Sequence, residues 1–336
     1  MALGATSPMF LRYRHFLKFL DLAPTDLQEI VKTAITLKQL RRSAQDRPTL
    51  SRKDVALLFE GPSQTVCWSS SAACSQVGLR AHHFDRPYTG LGEGDDAACA
   101  AQRLGRLYSG LLLHGVSQEK VEEVARASGV PVFNLGNDSF EPLAVLADFV
   151  TMAESASKPL SELSLTFLGD GRSGLAQSLM VGAAKLGLDI RFCGPKEKQP
   201  DDTLTETCLA LGAETGAQIR LYTDAEQAVK GSDFLYSHSW TDEPEKLTKK
   251  SVKPMLGYRV TSELISQTGN SRCRLLHHLP FHLHDDSEKT REAVTRLELY
   301  GLEVAAELCD SSVNLAYNQV ENHLHACKAV LVSLFA

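Results

Sequence analysis

Apolar residues recur at helical spacing over residues 24–43, PTDLQEIVKTAITLKQLRRS. Leu27, Ile30, Val31, Ala34 and Leu37 share one face, and Thr25 and Asp26 can cap its start. The pattern then shortens. DVALLFE (54–60) is an unbroken apolar run closed by Gly61-Pro62, as in a strand buried on both faces. Helical and strand patterns alternate from there. SSSAACSQVGL (69–79) predicts a helix, RAHHF (80–84) a strand, AACAAQRLGRLY (97–108) a helix and SGLLLHG (109–115) a strand. SQEKVEEVARASG (117–129) then predicts a helix ending on Gly129, and VPVFNLG (130–136) a strand. Residues 138–157 lack strand character and predict a helix linking two halves.

The second half repeats the alternation. Strands are predicted over 163–171, 188–195, 218–224, 233–240 and 273–280, with helices over 173–187, 204–216, 225–232 and, at the end, 320–335. Alternation of this kind gives parallel sheets covered by helices on both faces. The fold class is therefore α/β, with two doubly wound parallel-sheet domains joined by helices. One domain spans 1–150 and is closed by the helix 320–335; the other spans 151–319. Ligands of such sheets bind beyond the carboxyl ends of the strands. Those ends carry Glu60–Val66, His114–Gly115, Asn134–Phe140, Gly169–Gly174, His238–Asp242 and His277–His284.

Composition narrows the partners. A chain of 336 residues with 43% hydrophobic and 23% charged residues has enough apolar surface for two ordinary domains. The net charge of −6, without a Lys/Arg run, argues against nucleic acid. Eight cysteines, none in a CxxC pair, suit reduced thiols in the cytoplasm rather than a zinc ribbon. MALGATSPMFLRYRHFLKFL has no continuous apolar segment with a small-residue cleavage site, so no signal peptide is read. No apolar run approaches eighteen residues, so no membrane partner is expected.

Ordered blocks along the chain carry a resemblance. RHFLKFLDL, VALLFE, RLGRLYSGLLLHG, VPVFNLGND, VLADFVTM, FLGDGR, LLHHLP and VENHLHACKAVL follow one another from residue 14 to 335. In that order they resemble the ornithine carbamoyltransferases. The resemblance implies a transcarbamylase-like fold, a carbamoyl-phosphate-type first domain, an amino-acid-type second domain and a homotrimer. The motifs that carry the family's chemistry differ. The family's Ser-Thr-Arg-Thr-Arg is Ser63-Gln64-Thr65-Val66-Cys67 here, and its Arg-Gly is His114-Gly115. Its His-Pro-x-Gln is Glu141-Pro142-Leu143-Ala144, and its Asp-x-Trp-x-Ser-Met-Gly begins His238-Ser239-Trp240-Thr241-Asp242. Its His-Cys-Leu-Pro is His277-His278-Leu279-Pro280, and its Glu-Asn-Arg is Glu321-Asn322-His323. The loop that a neighbouring subunit lends reads GLGEGDDAA (90–98), with no lysine.

Carbamoyl phosphate is a dianion, and charge-assisted pairs to it are worth roughly 1.5–3 kcal/mol each. Four arginine positions are missing, and Glu141 adds negative charge. The resemblance thus implies a site with His114, Glu141, His278 and His323 as its reactive centre. Ser63, Gln64, Thr65, Arg172, His238, Asp242, His277 and Leu279 stand at substrate-binding positions. Three imidazoles and a carboxylate can hold zinc or iron, or work without metal as acid and base. A non-catalytic paralogue that binds a metabolite, or an active homologous subunit, is the main alternative. Ordinary ornithine carbamoyl transfer is the weaker one. The favoured partner is a small polar amino-acid-like metabolite.

Other features carry less. In HHLPFHLHDD (277–286), His277 and His278 stand at a strand end, while His282, His284, Asp285 and Asp286 read as a solvated loop. Cys67 opens a helix, where a reactive thiol competes with a small buried cysteine. Ser69-Ser70-Ser71 reads as helix packing or capping, and His82-His83 and His15 show no pattern. GDGR (169–172) lacks the GxGxxG of a nucleotide site. Trp68 and Trp240 are read either as cleft walls or as core.

Overall fold

The computed structural model describes residues 11, 14–50, 53–92, 94–240, 246, 248–279, 281, 288–298 and 301–336. The contacts divide the chain into two units, Met1–Glu154 with Val320–Ala336, and Ser155–Gln319. The first contains α1 (Pro24–Arg42), β1 (Asp54–Phe59), α2 (Gln64–Val77), β2 (Arg80–Asp85), α3 (Ala97–Leu107), β3 (Gly110–His114), α4 (Gln118–Ser128), β4 (Val132–Gly136) and α5 (Pro142–Ser155). The second contains β5 (Ser164–Leu168), α6 (Gly174–Leu186), β6 (Asp189–Cys193), α7 (Asp202–Thr215), β7 (Gln218–Tyr222), α8 (Ala225–Ala228), β8 (Phe234–Ser237), α9 (Lys249–Val252), α10 (Ser262–Gln267), β9 (Arg274–His277), α11 (Glu288–Leu297) and α12 (Ala306–Cys309). Helix α13 (Ala316–Phe335) returns the chain to the first unit.

Both sheets are parallel throughout. Strand order is β2-β1-β3-β4 in the first and β7-β6-β5-β8-β9 in the second. Central strands are buried: the apolar Val55–Phe59 of β1, and all of β5, where Ser164 and Thr166 are the buried polar residues. The edge strands β2 and β7 are largely exposed, and their sequences are correspondingly polar. Each order reverses direction once, between β1 and β3 and between β5 and β8. At such a reversal the flanking connections leave on opposite faces and open a crevice beyond the strand ends. Local chemistry fixes the helices that follow. Ser63 caps α2 by accepting from the Val66 amide at 3.4 Å, and Ser173 caps α6 by accepting from Ala176 at 3.2 Å.

Two expectations shift. Helix α2 begins at Gln64, five residues before the expected start, because the Ser63 cap, and not the apolar period, sets its first turn. The segment expected to link the halves is a core helix of the first unit, with every residue from Pro142 to Met152 buried. No helix of the described residues is long and apolar enough to cross a membrane.

Helices α3 and α4 meet closely at Gly105. A Cβ added there would lie 1.9 Å from the Ser128 carbonyl oxygen. Alanine would raise helix propensity by about 1 kcal/mol, yet the backbone it meets cannot turn aside. Gly105→Ala is expected to lower stability by about 2 kcal/mol net, read from urea unfolding followed by circular dichroism. A stabilised variant would show that the two helices separate freely.

Candidate active site

In the first unit the strand reversal places His114 at the end of β3, in register with Phe59 at the end of β1. The half-buried imidazole lies over Phe59, with ring centroids 5.2 Å apart. Glu141 stands just before α5. Gly136, with φ of 147°, keeps the space between these two open. A Cβ there would lie 3.6 Å from Glu141 Cγ and 3.8 Å from His114 Nδ1. That nitrogen is buried and has no hydrogen-bond partner among the described residues.

His323 comes from α13 and is 1% exposed. Its Nδ1 is 2.6 Å from Ser69 Oγ on α2. Ser69 also reaches the Thr65 carbonyl at 2.7 Å. With the hydroxyl proton on that carbonyl, His323 donates from Nδ1. Ser69, read from sequence as packing, is thus the partner that orients this imidazole. The helical offset of four between Thr65 and Ser69 was the available signal.

Burial decides the charge of both rings. It pushes His114 down to about 4, against the opposing pull of Asp138. Burial, and then the charge of His114, push His323 down to about 4 as well. At neutral pH both are neutral imidazoles. They can accept or donate one hydrogen bond per nitrogen, but they supply no positive charge.

The substrate-end residues of this unit sit at the head of α2. Ser63 is the helix cap, Gln64 is exposed and Thr65 is half-buried. Thus the first unit brings together His114, Glu141 and His323 near the start of α2.

In the second unit His238 and His278 follow the adjacent strands β8 and β9. Their rings stack, with centroids 6.1 Å apart and planes 20° apart. His277 turns the other way. It is fully buried, its Nε2 lies 3.1 Å from Glu303 Oε1, and its ring stacks on Phe281. Neighbours on a strand point to opposite faces, so His278 and not His277 is presented beyond the sheet. His277 is a core residue, contrary to its expected place in substrate binding. Leu279 packs against the hydrophobic core of this unit. Arg172 is exposed and pairs with Asp170, Nε to Oδ1 at 3.2 Å. Trp240 packs on Val252, Leu297 and Leu302, whereas Trp68 is exposed. Asp242, His282, His284, Asp285 and Asp286 lie outside the described residues.

The metal reading does not fit. Among the described residues no three His, Cys, Asp or Glu side chains form a group that could hold a metal ion. Of the tentative zinc or iron set, His323 is tied at Nδ1 to Ser69, and His114 and Glu141 form no ligand group with it. What His114, Glu141 and His323 can do together is hydrogen-bond a polar ligand, with Glu141 as the group that exchanges a proton.

Comparison with known proteins covers nearly the whole chain. Residues 14–154 match the family described as aspartate/ornithine carbamoyltransferase, carbamoyl-P binding domain. Residues 161–334 match its Asp/Orn binding domain. A catabolic ornithine carbamoyltransferase of Haemophilus influenzae is 35% identical over 330 residues, covering 97% of this chain and 99% of its own. The solved ornithine carbamoyltransferase from Pyrococcus furiosus superposes with a TM-score of 0.87 at 26% identity, over 97% of this chain and 98% of its own. That from Gloeobacter violaceus gives 0.80 at 27% identity, over 97% and 100%.

Proposed function

The chain belongs to the aspartate/ornithine carbamoyltransferase family, and from that premise we propose that it acts on a small, polar, amino-acid-like metabolite through a His/Glu site, not by ordinary transfer from carbamoyl phosphate. The observation that carries this reading is His114, which stands where the family motif has an arginine and whose buried, unpartnered Nδ1 faces Glu141 across the space beside Gly136. A neutral imidazole cannot replace a guanidinium opposite a phosphate dianion. It can hydrogen-bond an ammonium or hydroxyl group through its free nitrogen, while Glu141 takes and returns the proton. His323, oriented by Ser69, hydrogen-bonds the same ligand. A homotrimer in the cytoplasm belongs to the same proposal.

The relatives favour a second reading, because proteins matched over nearly their full length are named ornithine carbamoyltransferases. One assay separates the two. With ornithine and carbamoyl phosphate, citrulline formation is expected at least about a thousandfold below the ordinary enzymatic range of roughly 1–10³ s⁻¹. Citrulline made within that range would establish the second reading and overturn the charge argument. In parallel, amino acids are screened by thermal shift and turnover. For an amino acid that is turned over, Glu141→Gln is expected to cost about a hundredfold in rate. Unchanged turnover in that variant would remove Glu141 from the chemistry. Mixed trimers with an active homologue and no turnover of any amino acid would favour the non-catalytic paralogue.

A further inference from the structure

A thiol, an imidazole and a carboxylate stand in line at the edge of the first unit. Cys67 lies in the first turns of α2, with its Sγ 3.8 Å from Nδ1 of His83. On the far side of that ring, Nε2 is 2.9 Å from Oδ1 of Asp85. His83 and Asp85 alternate along β2, so both side chains leave the same face of the strand. Phe59 of the neighbouring strand stacks under the imidazole at 4.6 Å and 19°. The ring is therefore held in plane from below and tethered at one nitrogen.

That tether selects a tautomer. When Asp85 accepts the Nε2 proton, Nδ1 carries the lone pair and faces the thiol. Nucleophile, base and orienting carboxylate thus occur in working order. The site is open, since Cys67 is half-buried and the His83 side chain is 32% exposed. Most other thiols are placed differently. Burial pushes Cys74, Cys193 and Cys273 up to about 12 and Cys208 up to about 11, which holds them protonated.

We propose that Cys67 is a nucleophile, with His83 as its base and Asp85 as a positioning residue, and that it cleaves small activated esters through an S-acyl intermediate. His83 Nδ1 takes the thiol proton as Sγ attacks the carbonyl carbon and the C–S bond forms. The tetrahedral adduct then expels the alkoxide or phenoxide, which leaves with the proton from His83. Water attacks the thioester, the C–S bond breaks, and a free acid and the thiol are restored. Nothing in this step involves His114, Glu141 or His323, so it stands or falls apart from the function proposed above.

The test uses the full chain and p-nitrophenyl acetate. A burst of about one p-nitrophenolate per chain is expected, with acetyl found on Cys67 by peptide mapping. Cys67→Ala abolishes the burst. His83→Gln slows it about a hundredfold, Asp85→Asn slows it about tenfold, and Asp85→Glu restores it. Exposed Cys99 serves as the comparator for plain accessibility. Acetylation of Cys67 no faster than of Cys99, or a rate unchanged in a folded His83→Gln variant, overturns the proposal.

Discussion

Acidification from pH 6.5 to 4 is expected to remove about 3 kcal/mol of stability for each of three histidines in the first unit. His114, His323 and His325 are each held near 4 when folded, chiefly by burial. Unfolded, each returns to about 6.5. Above pH 6.5 both states are neutral and nothing is lost. Below it the unfolded chain binds protons that the folded chain refuses, so stability falls by roughly 1.4 kcal/mol per pH unit for each histidine. The loss is complete as pH passes the folded value. His114 and His323 oppose each other's charging, so their shares are not strictly additive. His15 is also lowered by burial and acts in the same direction.

Denaturant titrations at pH 7.5, 6.5, 5.5 and 4.5 check this. The interval between 6.5 and 5 lies above the ordinary range of carboxylates, so the slope there belongs to the histidines. His323→Gln or His325→Gln should each reduce it by about one proton. Stability that stays flat down to pH 5 would mean that these imidazoles charge freely in the folded protein.

Lys38→Met is the second large effect, with an expected loss of about 3 kcal/mol at neutral pH. The Lys38 ammonium is buried and meets Glu154 at 2.7 Å, Glu321 at 3.0 Å and Asn322 Oδ1 at 2.6 Å. Asn322 in turn donates to Thr151 Oγ1 at 2.9 Å and to Glu154 at 3.0 Å. One cation thus ties α1 and α5 to the last helix. Methionine fills the volume but leaves two carboxylates facing an amide oxygen. Both carboxylates keep some water contact, which holds the cost at the lower end of the range for a broken buried pair. Chemical unfolding at pH 7.5 measures it. A loss under 1 kcal/mol would show that solvent already screens the cluster. Adding Glu154→Gln to the methionine variant should recover part of the loss, since it removes an unmatched charge.

Much of this protein was legible in its sequence. The strands and the longer helices of both sheets leave local marks, such as the apolar run 55–59 or the terminal glycine of α4, whereas the short helices α9, α10 and α12 and the polar α11 were not read from the sequence. Alternation then dictated parallel sheets, and the ordered blocks pointed to the family that the comparisons identified. The end of the apolar run 110–113 placed His114 at the carboxyl end of its strand. Other features depended on tertiary contacts. In α1 the apolar stripe pointed to Leu37, yet Lys38 takes the buried place, since its partners lie on helices more than a hundred residues away. His277 and His278 are adjacent in the chain, and strand register sends one into the core and the other outward. His82-His83 showed no pattern, because the thiol facing His83 comes from another element. The charge of His114 and His323 was also hidden. Residue type sets an ordinary value of 6.5, and only burial, a property of the packed fold, moves it to about 4.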